Sequence, residues 1–459
     1  MTLKGKIGYI GVDVLNNATV CNEATGLIEA GVPLEPVSVR RHDAPTFYRS
    51  ESLRALTQRL SHLYPLPPLK TAWDLVRAPW AFGRRFWATV WNAMTCPAEG
   101  IKQRIRLVGH LAPAIVLATR WRGQGVAHIH AHWAHTATTI AMHAAGLLGV
   151  GFSFTGHAND LFVHYVGLRA KLKRARFVVC ISEFHRRFYL ERGGDPERMA
   201  IVYCGIDEDR FSMRDGGPAG DFGRAPTIVS VGRLVEKKGF ADLIRACAML
   251  RDRGVAFRCR IAGSGPLLES LRALTVELGL EELVELTGAT ALQEDLPKLL
   301  ADADVFALPC VRDSDGDMDG LPQVLIEAML LGVPAISTRL VGIPDLVRHE
   351  ENGLLVEPGD VSALADVLER LLGDLETAEA LGERAAAWAR AHFGRAEAIR
   401  RMSELFVWAA ADAGSDSALP ETLRFPPSWE SVSETPDPEV PIAARLFAAP
   451  SSAESWRRA

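Results

Sequence analysis

The sequence predicts an α/β protein in which two doubly wound parallel-sheet domains face each other across a cleft. Short buried strands alternate with amphipathic helical stretches, which is the pattern of a parallel sheet covered on both faces. The alternation stops at a stretch rich in Gly and Pro, residues 212–226, and then starts again. With 459 residues, 48% of them hydrophobic, the chain is long enough for two or three domains with cores of their own.

The first run of elements predicts a Rossmann-like domain over residues 1–212. Its strands are predicted at residues 5–12, 126–134, 151–157 and 174–182, and residues 23–40 predict a helix, a turn and a further strand. Residues 213–226 lack periodicity and are predicted to be the linker.

The second run predicts another Rossmann-like domain over residues 227–394. Its strands are predicted in TIVSVGRL, FRCRIAGSGP, LVELTGA, ADVFALPC, PAISTRL and GLLVEP, with helices between them. A helix over 395–411 is expected to close this sheet, and the Pro/Ser/acid-rich tail 412–459 is predicted to be loosely ordered. Because ligands bind at the carboxyl ends of such strands, two facing domains predict a two-substrate site between them.

Composition predicts a cytoplasmic protein. The seven cysteines show no CxxC spacing, which favours reduced thiols over a disulfide framework or a zinc site. The chain does not start with the pattern of a secretory signal, and its longest apolar stretch, residues 107–118, is too short to span a membrane and contains His110.

Charge is divided unevenly along the chain. Residues 1–215 hold 27 Lys+Arg against 17 Asp+Glu, so the remainder holds 24 (51 − 27) against 39 (56 − 17). A basic first half and an acidic second half predict domains with different partners, although unevenly solvated surfaces explain the charges equally well.

One stretch of the first half, residues 70–94, mixes aromatic and basic side chains. Interfacial aromatics beside cations are typical of a helix lying on anionic lipid. Packing between buried helices explains the same aromatics about as well. We favour peripheral attachment at the inner face of the plasma membrane. The residues are Trp73, Trp80, Phe82, Phe86, Trp87 and Trp91, among Arg77, Arg84 and Arg85.

The segment DSDGDMDGLPQVLIEAMLLGVPAIS, residues 313–337, places alternating acids before an apolar helix. A calcium loop starting at Asp315 fails on spacing, because its twelfth position is Ile326 instead of Glu. A divalent ion held by the acids of 313–319 on a diphosphate is not excluded, but basic phosphate ligands elsewhere in the chain would make it unnecessary.

Glu327 lies inside that apolar helix. The spacing predicts a polar strip of Asp319, Gln323 and Glu327 beside a core stripe. A carboxylate in such a helix must be paired with an Arg or bound to ligand hydroxyls, and the residues alone leave both open.

The segment DGDMDGLPQVLIEAM, with NGLLVEPGD after it, resembles the nucleotide-sugar site of family 4 glycosyltransferases of the GT-B fold, and in particular their exopolysaccharide (colanic-acid-type) branch. The resemblance covers residues 125–395 well and 1–125 loosely. It implies a retaining enzyme that transfers a sugar from a nucleoside-diphosphate sugar to a lipid-linked saccharide, with no metal, no other cofactor and no nucleic-acid partner.

The resemblance also assigns roles in the second domain. Glu327 would hold the ribose hydroxyls, while Asp319 and the backbone of Gly320 and Leu321 would face the donor sugar. The family usually has Glu where this chain has Asp319, one methylene shorter.

Two cations and a glycine turn complete that side. Arg233 and Lys238 follow a predicted strand, where two positive charges can neutralise a diphosphate or simply be solvated; in the family they match the diphosphate ligands. IAGSGP, with Gly263, is an incomplete dinucleotide fingerprint. By resemblance it is the turn beneath the nucleotide.

In the first domain, His157 ends a buried strand and is either a structural residue or, by resemblance, a contact to the donor sugar. Asn159 and Asp160 would support it or the acceptor. His128, His130 and His132 share one strand face and can ligate zinc, but we favour a buried strand without metal in which His132 reaches the cleft wall.

The predicted catalytic residues are His157, Asp319, Arg233 and Lys238. Two other functions use the same features. A non-catalytic nucleotide-sugar binder would have the same pocket, and a dehydrogenase would use the GSGP turn for NAD.

Overall fold

The computed structural model of the protein describes residues 3–15, 17–41, 51–98, 100–162, 166–211, 225–289, 295–411 and 417–426. It leaves out the side chains of residues 51, 52, 159 and 162. All but the last two residues of the predicted linker 213–226 lie outside these ranges, as does most of the tail.

The first domain contains a seven-stranded sheet. Its strands are β1 (Lys6–Gly11), β2 (Leu34–Ser38), β3 (Ser61–His62), β4 (Val126–His132), β5 (Gly151–Thr155), β6 (Phe177–Cys180) and β7 (Met199–Ile201). Its helices are α1 (Ala18–Glu29), α2 (Glu51–Arg59), α3 (Pro68–Phe82), α4 (Arg84–Thr95), α5 (Ile101–Gly109), α6 (Leu111–Trp121), α7 (Thr136–Leu148), α8 (Asn159–Phe162), α9 (Leu168–Arg174) and α10 (Glu183–Leu190).

The second domain contains a six-stranded sheet. Its strands are β8 (Thr227–Val231), β9 (Arg258–Ala262), β10 (Val284–Leu286), β11 (Val305–Ala307), β12 (Ala335–Thr338) and β13 (Leu354–Val356). The helices that follow β8 are α11 (Phe240–Asp252), α12 (Leu268–Glu277), α13 (Leu296–Ala301), α14 (Gln323–Leu330), α15 (Ile343–Leu346), α16 (Val361–Gly373), α17 (Leu375–His392), α18 (Arg395–Ala411) and α19 (Glu421–Arg424).

Both sheets are parallel throughout the described residues, with strand orders β3-β2-β1-β4-β5-β6-β7 and β10-β9-β8-β11-β12-β13. The strand order reverses between β1 and β4 in the first sheet and between β8 and β11 in the second. A doubly wound sheet opens its ligand crevice at such a point. The predicted α/β architecture with two doubly wound sheets is confirmed.

Local sequence features account for the buried position of strand β4 and for the starts of two helices. β4 is buried from His128 to His132 and pairs with β1 on one side and β5 on the other. Polar side chains fix where the flanking helices begin: Asn17 accepts a hydrogen bond from the Val20 amide at the start of α1, and Asp360 accepts one from Ala363 at the start of α16.

The predicted place of the helix over 395–411 is wrong. That helix, α18, returns to the first domain, where it packs on α1 and β4. Its Met402, Leu405 and Phe406 are buried in one cluster with Ile7 and Tyr9 of β1. Helix α18 therefore covers a face of the first sheet. The second sheet is covered by helices that precede α18 in the chain.

Part of the predicted loose tail also packs on the first domain. Within residues 417–426, Leu419 donates its amide to the Glu197 carbonyl, and Ser417 accepts hydrogen bonds from Arg176. Arg401 of α18 donates to the carbonyls of Leu423 and Phe425. These contacts order the segment.

No helix in the described ranges combines the length and the apolarity that crossing a bilayer requires. All seven cysteines are free thiols.

Candidate functional site

The turn between β8 and α11 forms the base of the second-domain wall. Gly232 donates its amide to the Ala262 carbonyl, and Leu234 donates to the Ser264 carbonyl, so the turn lies on the GSGP segment. A Cβ on Gly263 would collide with the Gly232 carbonyl oxygen. Because Gly263 has no side chain, its backbone can contact that of Gly232. This contact fixes the position of the turn that carries Arg233 and Lys238.

Lys238 is locked into an ion cluster. Its Nζ lies 2.5 Å from Oδ2 of Asp319, while Lys237 lies 2.8 Å from Asp317 and 3.4 Å from Asp319. The next residue, Gly239, has φ +70° and touches the Pro309 carbonyl so closely that a side chain would not fit. The predicted phosphate lysine and the predicted sugar-facing acid are thus in direct contact.

Lys238 and Asp319 both stay charged although they are largely buried. Burial alone would lower the pKa of Lys238, but the Asp319 carboxylate outweighs it and raises that pKa. Burial alone would raise the pKa of Asp319, and Lys238 and Lys237 outweigh it and hold it below its usual value. Arg233 is exposed beside this cluster and has no ion-pair partner within the described ranges. One cation is therefore compensated and the other is open to a ligand.

Gly320 joins the two domains at the cleft. A Cβ there would collide with the His157 carbonyl oxygen and come within 3.1 Å of the His185 ring. Its own carbonyl accepts the Gly342 amide at 3.1 Å. In the part of the chain that the structure describes, the amides of Gly320 and Leu321 have no acceptor. Together with the start of α14 these amides offer unused donors to an anion.

Glu327 is 5% exposed on α14. Burial raises its pKa to about 7, and Arg210 opposes that shift from a distance. No hydrogen bond or ion pair to Glu327 occurs among the described residues, so the alternative of a direct Arg partner is not what the structure contains. The helix begins at Gln323, with Pro322 as its N-cap. A desolvated carboxylate without a partner is poised for ligand hydroxyls.

On the first-domain wall, Asp160 fixes the turn that carries His157. Its buried carboxylate accepts the amides of Ala134, His157 and Ala158, at 2.5, 3.1 and 3.0 Å. His185 contributes a further bond, 2.6 Å, to the His157 carbonyl. Asp160 thus ties the end of β4 to the end of β5. The side chain of Asn159 lies outside the description.

The His157 ring stacks on His132, with centroids 5.4 Å apart, and lies beside Trp133. Burial and then the neighbouring His132 lower the pKa of His157 to about 4, so the ring is neutral at physiological pH. Trp133 follows β4 with φ +69°, a conformation that only a constrained non-glycine residue keeps.

Behind these rings lies a buried chain of hydrogen bonds that the sequence did not predict. Nε2 of His132 lies 3.0 Å from Glu23 and 2.6 Å from the Tyr9 hydroxyl, and Tyr9 donates to Glu23 at 3.0 Å. Nδ1 of His132 meets Nε2 of His157 at 3.1 Å. Because a carboxylate only accepts, Nε2 of His132 carries a proton, and Glu23 orients His157 through His132.

The histidines of β4 use their rings in hydrogen bonds within the sheet. His128 and His130 each contact the Ser153 hydroxyl at 2.8 Å, and His130 also contacts Thr155 at 3.1 Å. Among the described residues, one set of potential metal ligands converges, Glu23, His130 and His132. The acids of 313–319 form no such set there: Asp317 and Asp319 bind lysines, and Ser314 bonds to Glu236.

A cavity of about 1430 Å³ lies elsewhere, against α1, α18 and α19. None of the predicted site residues lines it. The candidate site is the interdomain cleft, where Lys238, Asp319, Gly320 and His157 form a continuous set of contacts. Arg233 lies near Lys238. Glu327 is on α14, which follows Gly320 in the chain, and neither residue bonds to the set within the described ranges.

Comparison with known proteins extends over both domains. A family model described as Glycosyl transferases group 1 matches residues 219–388, and one described as Glycosyltransferase Family 4 matches residues 20–210. A relative named for colanic acid biosynthesis, the glycosyltransferase WcaL of Escherichia coli (strain K12), is 32% identical over 372 residues, 79% of this chain and 89% of the relative.

Two further likenesses are more distant or partial. The GDP-mannose-dependent alpha-(1-6)-phosphatidylinositol monomannoside mannosyltransferase of Mycobacterium tuberculosis (strain CDC 1551 / Oshkosh) is 35% identical over 222 residues, 47% of this chain and 57% of that protein. The crystal structure of Anabaena HepE in complex with UDP and glucose matches with a TM-score of 0.63 at 18% identity, covering 87% of this chain and 99% of HepE.

Proposed function

Because the chain belongs to family 4 of the glycosyltransferases and has their GT-B fold, we propose that it transfers a sugar from a nucleoside-diphosphate sugar to a lipid-linked saccharide during exopolysaccharide synthesis. The chain is a transferase related to exopolysaccharide enzymes. The donor, the acceptor and the retention of anomeric configuration are the proposed parts.

One observation carries the proposal. Lys238 binds Asp319, and the next residue, Gly320, touches the His157 carbonyl from the other domain. A donor in this cleft would place its diphosphate near Arg233, Lys238 and the free amides of Gly320 and Leu321. Its ribose would reach Glu327, and its sugar would lie between Asp319 and His157.

The chemistry follows from these charges. As the glycosidic bond breaks, negative charge grows on the leaving diphosphate, and preorganised cations and amide donors stabilise it more than they stabilise the bound donor. His157 is neutral, so it orients the sugar through hydrogen bonds and does not repel the positive charge that develops on the anomeric carbon. We assign no carboxylate of the first domain as a nucleophile. The acceptor hydroxyl attacks from the face that the diphosphate leaves and gives its proton to an oxygen of the departing diphosphate.

Neither a metal nor another cofactor is needed in this scheme, because cations of the protein face the diphosphate. Transfer should therefore continue in EDTA. A loss of rate that Mg²⁺ or Mn²⁺ restores would return the acids of 313–319 to the role of metal ligands.

The names of two relatives support the substrate classes. One acts on phosphatidylinositol monomannoside, a lipid-linked saccharide, and the other is named for an exopolysaccharide. We place the enzyme in the cytoplasm at the inner face of the plasma membrane. HepE binds UDP and the mannosyltransferase uses GDP-mannose, so both bases belong in the test.

The test incubates the purified protein with radiolabelled UDP- and GDP-sugars and a membrane extract. We expect label from one donor to enter the lipid fraction, and NMR of the product to show the anomeric configuration of the donor. His157→Ala and Glu327→Ala should abolish transfer, whereas Lys298→Ala, which removes an exposed lysine of α13, should not. Donor binding without transfer from any sugar would overturn the proposal.

A further inference from the structure

Helices α3, α4 and α5 carry a concentrated apolar surface. Eleven of the fourteen exposed large apolar side chains in the described ranges lie between residues 69 and 108. Trp73, Trp80, Trp87 and Trp91 are 60%, 80%, 63% and 67% exposed. The others are Leu69, Leu75, Val76, Met94, Ile101, Ile105 and Val108. We call this set the tryptophan face. A surface with so many exposed apolar side chains marks an interaction site.

The opposite sides of the same helices are packed. Ala78, Ala93 and Leu107 are buried, and α3 and α4 contact α6 and α7. Arg85 donates to the Leu148 carbonyl at the end of α7. The four tryptophans are therefore not on the packing side of these helices, so buried packing is wrong for them. It holds for Phe82 and Phe86, which are partly buried against the core.

The surroundings of the tryptophan face are cationic. Residues 68–109 contain seven Lys and Arg but only two acids, Asp74 and Glu99. Asp74 is buried and paired with Lys70, so it adds no exposed negative charge. Arg77 lies over the ring of Trp73, 5.4 Å from its centroid. The cations are Lys70, Arg77, Arg84, Arg85, Lys102, Arg104 and Arg106.

This charge pattern selects the occupant. A second copy of the chain would bring two cationic borders together, which costs free energy, whereas anionic lipid head groups neutralise them. Tryptophan prefers the boundary between head groups and acyl chains, because its ring is amphipathic. Helices of 15, 12 and 9 residues that lie on the domain surface fit a monotopic contact.

The packed side of these helices is linked to the first-domain wall of the cleft. Leu107, at the end of α5, packs against Gly167 in the segment after His157, and its carbonyl bonds to His143 of α7 at 3.0 Å. Lys171, packed in the same region, donates to the carbonyls of Ala134 and His135, just after β4. The helices therefore connect directly to the wall that carries His132 and His157.

We infer that the tryptophan face docks on an anionic bilayer and thereby holds the first-domain side of the cleft against the membrane. The four indoles lie at head-group level and the arginines and lysines bind anionic lipid. The presentation of a lipid-linked acceptor to the cleft rests on the proposed function; the docking itself does not.

The test is flotation of the full chain with vesicles of phosphatidylcholine alone and of phosphatidylcholine with phosphatidylglycerol. We expect binding that needs the anionic lipid and weakens at high salt. Replacing all four tryptophans by Ser should lower the partition coefficient at least tenfold. Arg84→Gln with Lys102→Gln should weaken binding to anionic vesicles at low salt. The control changes Val276 and Leu375, exposed apolar residues outside the face, to Ser and should bind like the wild type.

Several outcomes would overturn docking: equal binding to neutral vesicles, no binding, or wild-type binding by the four-tryptophan variant. Loss of a dimer in light scattering on the same substitutions would assign the face to a second copy. Donor hydrolysis in solution should persist in the four-tryptophan variant, and His157→Ala should still float with vesicles. These readouts separate a failure of docking from a failure of the proposed transferase chemistry.

Discussion

The two walls of the cleft are built in different ways. The second-domain wall comes from two short segments, residues 232–239 and 319–327. It carries ionisable groups: the ion pair of Lys238 and Asp319, and Glu327, which has no partner among the described residues. The first-domain wall joins Tyr9 to His132, 123 residues later, and then to His157, through hydrogen bonds between buried rings. Burial lowers the pKa of His157 to about 4, so the ring that this wall positions is neutral.

This difference predicts which substitutions in each wall should lower the rate most. Charges that face a diphosphate act by their magnitude, so deleting one costs transition-state stabilisation directly. The hydrogen-bonded wall acts by holding His157 in position. A substitution there should therefore lower the rate only as far as it displaces His157. Substitutions of the charged wall should therefore have the larger effects on rate.

The largest effect is expected for Lys238→Ala. It removes one of the two lysines that bind Asp319, and it leaves that acid, near the proposed position of the diphosphate, with Lys237 alone. We expect kcat/KM to fall about 10²- to 10³-fold, measured with the donor that the radiolabel screen identifies. Lys298→Ala is the matched control, and a fall of less than fivefold would remove Lys238 from the diphosphate site.

The second effect tests the contact between the walls. Gly320→Ala places a methyl group on the His157 carbonyl and must push the domains apart or rotate the His157 turn. We expect kcat to fall about 10- to 10²-fold, because a displacement near 1 Å misplaces the reacting groups. Nucleotide affinity, measured by calorimetry, should change less, since the amide donors remain.

Gly373→Ala provides the matched control, because a Cβ at that position, the last residue of α16, meets no atom within 4 Å. If both glycine variants behave alike, the contact between Gly320 and His157 has no part in catalysis.

How far the sequence predicts this site depends on whether a residue acts near its own segment. Lys238 and Asp319 each belong to a local motif, and their positions after β8 and before α14 follow from strand and helix patterns. Their pairing does not follow, because the residues are 81 positions apart and only the fold brings them together. The two-sheet architecture was predictable for the same reason as the motifs, since hydrophobic periodicity is local.

The residues that the sequence missed have no local signal. Glu23 is one acid on α1 and Tyr9 one aromatic on β1, and nothing near either of them indicates that they meet His132. The return of α18 to the first domain was missed because an amphipathic helix does not specify which of two sheets it covers. The tryptophan face remained ambiguous because periodicity does not show which side of a helix has a partner.

The third effect, on the free energy of unfolding, is expected for Glu327→Gln and tests whether Glu327 is a desolvated acid. Its folded pKa of about 7 exceeds its ordinary 4.5, so between these values the native state holds a proton that the unfolded chain has lost. Stability therefore falls as pH rises through this window. Glu327→Gln escapes this penalty and should be more stable than the wild type at pH 8, by at most roughly 3 kcal/mol, and about equal to it near pH 4.5.

Urea unfolding at pH 5 and pH 8 measures that difference. Glu376→Gln, on the exposed side of α17, is the control. Its free energy of unfolding should differ from that of the wild type by the same amount at both pH values. The same Glu327 variant should bind nucleotide less tightly despite its stability, since the amide lacks the charge for the ribose hydroxyls. A variant that is less stable than the wild type at both pH values would mean that a direct cation holds Glu327 in solution.

The smallest effect is expected for Tyr9→Phe, which removes one hydroxyl from the first-domain wall. Burial raises the pKa of Tyr9 far above its usual value, so the hydroxyl remains a donor to Glu23 throughout the working pH range. Its loss leaves Glu23 and His132 bonded to each other, and we expect a destabilisation of about 1 kcal/mol and a fall in kcat of a few fold with KM unchanged. Tyr203→Phe is the matched control, because the buried Tyr203 hydroxyl has no hydrogen-bond partner among the described residues. Should the two variants lose kcat equally, the chain from Tyr9 through His132 does not orient His157, and the first wall acts through its packed rings alone.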